Sequence, residues 1–248
     1  MIFGQHQRIV FMGDSITDAE RRTTAPPYGN GYVNTVRNFM IARYPQSNLT
    51  FINKGVGGDT IRQLATRWED DVIRERPQWV SVMIGANDVW RHFTYNAREA
   101  VPVGEFQSTL RALLQRARQA IKANFVLMQP YAVIADVHHP MRQLMALYGG
   151  VVEGLAVEFG AALVRTQAAF DLAMQSLPES FWSPDQIHVG AQGHGCAPSA
   201  TIFKLCLKGL LDKRCQQVYA GLHVVDVHRF AGGMHIAAWD RDCTAWNA

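Results

Sequence analysis

The chain has 248 residues, 48% of them hydrophobic, enough to bury one sizeable core in a single α/β domain. Its 24 Lys and Arg against 21 Asp and Glu leave a net charge of +3 with the signs interspersed, so no basic stripe points to nucleic acid. The first apolar run, residues 8–12, is far too short for a signal-peptide core or a membrane span, so we expect a cytoplasmic protein with no membrane partner. All four cysteines (Cys196, Cys206, Cys215, Cys243) fall in the last 53 residues without a C-x-x-C pair, which reads as free thiols rather than a disulfide framework or a metal site.

Residues 8–12 form the first expected strand, and the chain leaves it through Gly13-Asp14-Ser15-Ile16-Thr17. That edge is where an open α/β sheet builds its site. A serine hydroxyl there becomes a nucleophile only with a general base in hydrogen-bond reach and donors for the developing oxyanion. Asp and Ser are equally ordinary capping residues, so the turn by itself leaves both roles open. Gly, Pro and Asn gather again at residues 25–31, a candidate turn.

A second strand over residues 49–53 runs into Asn53-Lys54-Gly55-Val56-Gly57-Gly58-Asp59-Thr60. Gly55 and Gly57 match two glycines of a dinucleotide fingerprint, but Thr60 takes the third place and no acidic residue closes the next strand near Ile84. The same glycines let backbone approach a substrate, so that the Gly58 N–H can face an oxyanion, and a tight turn capped by Asp59 or Thr60 is compatible with that role. Residues 60–75 then place Ile61, Leu64, Ala65, Trp68 and Val72 on one face of an amphipathic crossover helix. The third strand, residues 79–84, runs into Gly85-Ala86-Asn87-Asp88, where the Asn87 amide is either a second oxyanion donor or part of a common turn.

Residues 106–121 carry another apolar helical stripe, residues 125–129 and 162–164 read as the last two strands, and His138-His139-Pro140 marks a helix start between them. Asp185-Gln186-Ile187-His188 finally puts a carboxylate and an imidazole on one loop, where Asp185 can fix the His188 tautomer while the other ring nitrogen faces Ser15. A structural histidine is the competing reading. Five strands alternating with helices imply a parallel sheet covered on both faces.

The joint occurrence, in this order, of Ser15, Gly58, Asn87, Asp185 and His188 resembles the SGNH hydrolases, also called GDSL esterases, over residues 8–195. The resemblance implies a three-layer α/β/α sandwich with a five-stranded parallel sheet of flavodoxin-like type, and one hydrolase domain over residues 1–212. It implies Ser15 as nucleophile, His188 as base and Asp185 as its orienting acid. The Ser15 N–H, the Gly58 N–H and the Asn87 side chain would form the oxyanion hole, with no metal and no organic cofactor. Gly29-Asn30-Gly31-Tyr32-Val33, Arg67-Trp68-Glu69-Asp70-Asp71-Val72, Asn87-Asp88-Val89-Trp90-Arg91 and Thr166-Gln167-Ala168-Ala169-Phe170 further look like intracellular bacterial acetylxylan esterases of this fold. That likeness implies a small acetyl ester on a xylo-oligosaccharide or related sugar as substrate, and a homo-oligomer. Asp14, Trp90, His92 and Trp182 are the candidate substrate contacts, the two Trp as platforms for a sugar.

The chain departs from such relatives in places. Pro184 and Val189 stand where a Trp before the Asp and a Pro after the His are usual, and Arg165 where an acidic residue is common. After Gly195 the sequence reads Cys196-Ala197-Pro198-Ser199, helix propensity resumes over residues 201–211, and an atypical tail, expected to be extended or partly disordered, occupies residues 213–248. Its His223, His228 and His235 fit no standard zinc spacing, and a reading-frame change or natural extension is the expected origin of this end. Two other functions remain open: a thioesterase or lysophospholipase acting on longer acyl chains, and a non-catalytic carbohydrate-binding relative.

Overall fold

A computed structural model describes residues 2–94 and 97–195, so the expectations for the tail, its histidines and all four cysteines lie outside the described residues. Strands β1 (Arg8–Gly13), β2 (Thr50–Gly55), β3 (Trp79–Met83), β4 (Asn124–Met128) and β5 (Ala162–Val164) pair in parallel, in the order β2-β1-β3-β4-β5. Each β1 residue from Ile9 to Met12 is buried, as a parallel strand covered on both faces requires. The second strand runs two residues further than its apolar content suggests. Lys54 and Gly55 stay in the ladder opposite Met12 and Gly13, because pairing with a neighbour outweighs local preference.

Connecting the strands are α1 (Ser15–Asp18), α2 (Tyr32–Arg43), α3 (Ile61–Thr66), α4 (Ala86–Trp90), α5 (Val103–Ile121), α6 (Pro140–Glu158), α7 (Thr166–Ala173), α8 (Glu179–Trp182) and α9 (Ala191–His194). Neighbouring residues of a strand point to opposite faces, so Phe11 and Met12 identify the two layers. Phe11 meets Tyr32 of α2 edge-on at 6.0 Å, whereas Met12 lies under Arg67 beside α3, which continues through α5 to α6. The result is the expected three-layer α/β/α sandwich of flavodoxin-like order.

In α5, Phe106, Leu110, Leu114 and Ala117 form the buried stripe, each of the larger side chains contributing about 1.5–3 kcal/mol by leaving water. The helix expected over residues 60–75 is instead α3 followed by a single π turn, Glu69–Ile73. The π turn changes the helical phase, yet Ile61, Leu64, Trp68 and Val72 all remain buried. Thr60 starts α3 with a capping box, its backbone N–H donating to Gln63 Oε1 at 2.9 Å. At the start of α6, His139 accepts from the Met141 N–H, with Pro140 in the first helical position.

Candidate active site

Ser15 begins α1 directly after β1, and Asp14 caps that helix by accepting from the Ile16 N–H at 3.0 Å. The capping role and the half-buried serine are therefore one local structure. Ser15 Oγ lies 2.8 Å from His188 Nε2, and His188 Nδ1 lies 2.6 Å from Asp185 Oδ2. With a carboxylate on Nδ1, the neutral imidazole carries its proton there and presents Nε2 as an acceptor to the serine hydroxyl. Asp185 Oδ1 also accepts from the backbone N–H groups of His188 at 2.7 Å and Ile187 at 3.1 Å. Burial alone would raise the Asp185 carboxyl, but the hydrogen bonds from the His188 ring and these two amides outweigh it and hold the group below the ordinary carboxylate value.

The loops after β2 and β3 complete the site. Gly58 adopts φ +83°, a left-handed conformation that favours glycine, and a Cβ built on Gly57 would stand only 3.8 Å from that of Ser15. Asn87, in the first turn of α4, donates one amide hydrogen to the Asp59 carbonyl at 3.0 Å, which leaves its second hydrogen for another acceptor. Asp59 is itself held by Arg67, whose guanidinium also donates to the carbonyls of Lys54 and Gly13 at 2.6 and 3.0 Å. One arginine thus ties the ends of β1 and β2 to the loop that orients Asn87.

Sequence reasoning did not assign this role to Arg67. A signal was available, because Arg67 shares a helical face with Leu64 and Trp68, where a charge requires buried acceptors. Asp88, read from the sequence only as part of a turn, has a structural role too. Its buried carboxylate takes the Ile61 N–H at 3.0 Å and so locks α4 to the start of α3, while burial pushes the group up to about 7.

Two of the expected substrate contacts, Asp14 and Trp182, are buried. Asp14 is 1% exposed and lies beneath the nucleophile, because its capping bond turns the carboxylate back along α1. Trp182 is 7% exposed, with its ring in the core and its Nε1 donating to the Leu177 carbonyl at 3.3 Å. Trp90, the last residue of α4 and 42% exposed, and His92 just after it lie on the surface, and neither lines the pocket beside Ser15. That pocket, about 390 Å³, is walled chiefly by Ile16, Asp18, Glu20, Thr23, His188 and His194. Burial, followed by the nearby His188, pushes His194 down to about 4, so this second imidazole is neutral near pH 7.

Residues 11–196 match the GDSL-like lipase/acylhydrolase family. An acetylxylan esterase of Geobacillus stearothermophilus is 37% identical over 201 residues, spanning 78% of this chain and 91% of that protein. The crystal structure of Axe2, an acetylxylan esterase from the same organism, has a TM-score of 0.76 at 35% identity, covering 84% of this chain and 95% of the other. LAE5, described as an alpha/beta hydrolase enzyme from the metagenome of Lake Arreo in Spain, has a TM-score of 0.75 at 33% identity over 83% of this chain and 95% of its own. This chain belongs to the GDSL-like lipase/acylhydrolase family and is a carboxylic ester hydrolase.

Proposed function

We propose that the protein removes acetyl groups from acetylated xylo-oligosaccharides or closely related sugars through an acyl-enzyme on Ser15. The observation that carries this reading is the unbroken relay of Ser15 Oγ, His188 and Asp185 at 2.8 and 2.6 Å beside a pocket of about 390 Å³ with polar side chains in its walls. His188 takes the Ser15 proton as Oγ bonds to the acetyl carbonyl carbon, and the oxyanion is held by the Ser15 N–H, the Gly58 N–H and the Asn87 side chain. Each such donor contributes about 10²–10³ in rate. The C–O bond to the sugar then breaks, the imidazolium protonates the departing alkoxide, and water repeats the sequence on the acyl-enzyme to release acetate.

The lining of the pocket supports a sugar alcohol over a long acyl chain. Asp18, Glu20 and Thr23 offer hydrogen-bonding groups to hydroxyls. Axe2, 35% identical, is described as an acetyl-xylooligosaccharide esterase. A homo-oligomer acting in the cytoplasm belongs to the same reading. Exposed Leu147, Val157 and Phe181 are apolar surface that a subunit contact would cover, and no described helix is long and apolar enough to cross a membrane.

The test is hydrolysis of p-nitrophenyl acetate, butyrate and octanoate beside acetylated xylo-oligosaccharides, with Ser15→Ala as control. We expect acetyl esters to give the highest kcat/KM, acetate release from the oligosaccharides, and loss of about 10³-fold or more in the variant. Optimal turnover at octanoate would favour the thioesterase or lysophospholipase alternative, and full activity of Ser15→Ala would remove the serine mechanism.

A further inference from the structure

The oxyanion loop presents a mechanical problem. Gly57 and Gly58 are consecutive, Gly58 has φ +83°, and a Cβ added at Gly58 would meet nothing within 4 Å. Steric contact therefore does not hold the backbone, and glycine permits peptide rotations that other residues resist. Hydrogen bonds must supply the restraint. The entry and exit of the loop are tied, Arg21 Nε to the Gly55 carbonyl at 2.8 Å and Asn87 Nδ2 to the Asp59 carbonyl at 3.0 Å, but the N–H groups of Gly57 and Asp59 make long bonds, to Asp18 Oδ2 and the Val56 carbonyl, both at 3.3 Å. The short bond to the two glycines is charge-assisted, from Arg91 Nη2 to the Gly58 carbonyl at 2.7 Å.

We propose that Arg91 is a positioning residue of the oxyanion hole, fixing the Gly58 carbonyl so that the Gly58 N–H keeps its aim at the reacting oxygen. The Gly58 N–H and C=O lie on two peptide planes joined at one Cα. Anchoring the carbonyl plane leaves only φ and ψ of Gly58 itself between the anchor and the donor. Arg91 follows directly on α4, which carries Asn87, so the same short segment bears one oxyanion donor and the anchor of another.

The guanidinium is aligned in its turn by Glu99, whose Oε2 accepts from Arg91 Nη1 at 2.5 Å. The Arg91 side chain is 15% exposed and that of Glu99 59%, so the anchor is sheltered while its brace faces solvent. The planar fork serves both acceptors at once, a geometry that a lysine ammonium matches only in part. Arg91 touches neither the nucleophile nor the wall of the pocket, so its effect is expected on the transition state more than on substrate binding.

The inference rests on the Ser15 acyl-enzyme reading. Kinetics on p-nitrophenyl acetate and inhibition by phenylboronic acid, which forms a tetrahedral adduct on an active serine, test it in Arg91→Met, Arg91→Lys and Glu99→Gln. For Arg91→Met we expect kcat to fall about 10–100-fold with KM within about 3-fold, less than deletion of a donor because the donor is displaced rather than removed. Boronate affinity should weaken by the same factor as kcat/KM. Arg91→Lys should recover part of the loss, and Glu99→Gln should lose about 2–5-fold. A kcat within 2-fold of wild type in Arg91→Met, a rise in KM alone, or unchanged boronate affinity beside a lower kcat would overturn the proposal. Should Arg91→Met fail to fold, wild-type kcat in both Arg91→Lys and Glu99→Gln overturns it equally. An active Ser15→Ala would instead remove the acyl-enzyme reading, whereas an inactive Ser15→Ala beside an unimpaired Arg91→Met removes the anchor alone.

Discussion

Asp14 sits directly under the proposed nucleophile with a carboxyl that folding has taken out of water. One oxygen accepts from the Ile16 N–H, the other has no hydrogen-bond partner among the described residues, and burial pushes the group up to about 7. In the unfolded chain it returns to about 4. Between those values the folded state binds more proton than the unfolded one, so this group's contribution to stability is complete below about pH 4 and is lost as pH rises to about 7. Asp14→Asn retains an oxygen for the cap and cannot ionise. We expect the variant to exceed wild type in urea unfolding at pH 8 by up to roughly 4 kcal/mol, with the gap closing toward pH 4.5. A gap that does not change with pH would assign it to something other than the carboxyl. At this scale the sequence was legible where chemistry restricts residue type. A serine, an imidazole with its acid and an amide at successive strand ends form a pattern, and the structure brings Ser15, His188 and Asp185 into one hydrogen-bonded row. The loop-holding roles of Arg67 and Arg91 were not assigned because the loop atoms they hold are largely backbone carbonyls, which any sequence possesses. Asp14 was expected at the substrate, since nothing in Gly-Asp-Ser tells which way a capping carboxylate turns.

The strands were legible from their apolar runs, whereas the short elements that frame the site were not, because α8 and α9 span a single turn each and carry no periodicity. What holds these elements at their distances is in part the absence of side chains. A Cβ at Gly55 would stand 2.1 Å from the Asp18 N and 2.5 Å from the Thr17 carbonyl carbon, both backbone atoms of α1. The helix bearing the serine can approach β2 this closely only over a glycine. Gly58 is the contrasting case, with open space around it but φ +83°. Gly55→Ala should therefore force α1 off the sheet at a cost of about 3 kcal/mol or more, against about 1 kcal/mol for the backbone strain of Gly58→Ala. Urea unfolding of the two variants measures the difference, and equal costs would refute the close-approach argument.

At the scale of the molecule, Ser15, Gly58 and Asn87 follow three adjacent strands, β1, β2 and β3, and their convergence is given by sheet order. Asp185 and His188 follow β5, at the far edge of the sheet, and must reach back across it. The alternation of strands and helices implies the sheet, but the contacts that steer this return join distant loops and leave no local mark in the sequence. The Val133 N–H donates to the Gln186 carbonyl at 2.8 Å, which pins the triad loop to the segment after β4. That segment is fastened by Gln167 of α7, whose side chain accepts from the Ala132 N–H at 2.9 Å and donates to the Ala132 carbonyl at 3.0 Å. Ala132 is fully buried, so Gln167→Leu would strand both of its peptide groups away from water. Unpaired groups of this kind cost about 1–3 kcal/mol each, so a loss of about 2–4 kcal/mol is expected in urea unfolding. Because the same segment supports the His188 loop, hydrogen exchange should quicken at residues 131–135 and at residues 185–188 while the amides of β1 stay protected. Faster exchange at the first stretch with none at the second would mean that the imidazole is held independently of the β4 loop, and that the far edge of the sheet does not govern the reach of His188 to Ser15.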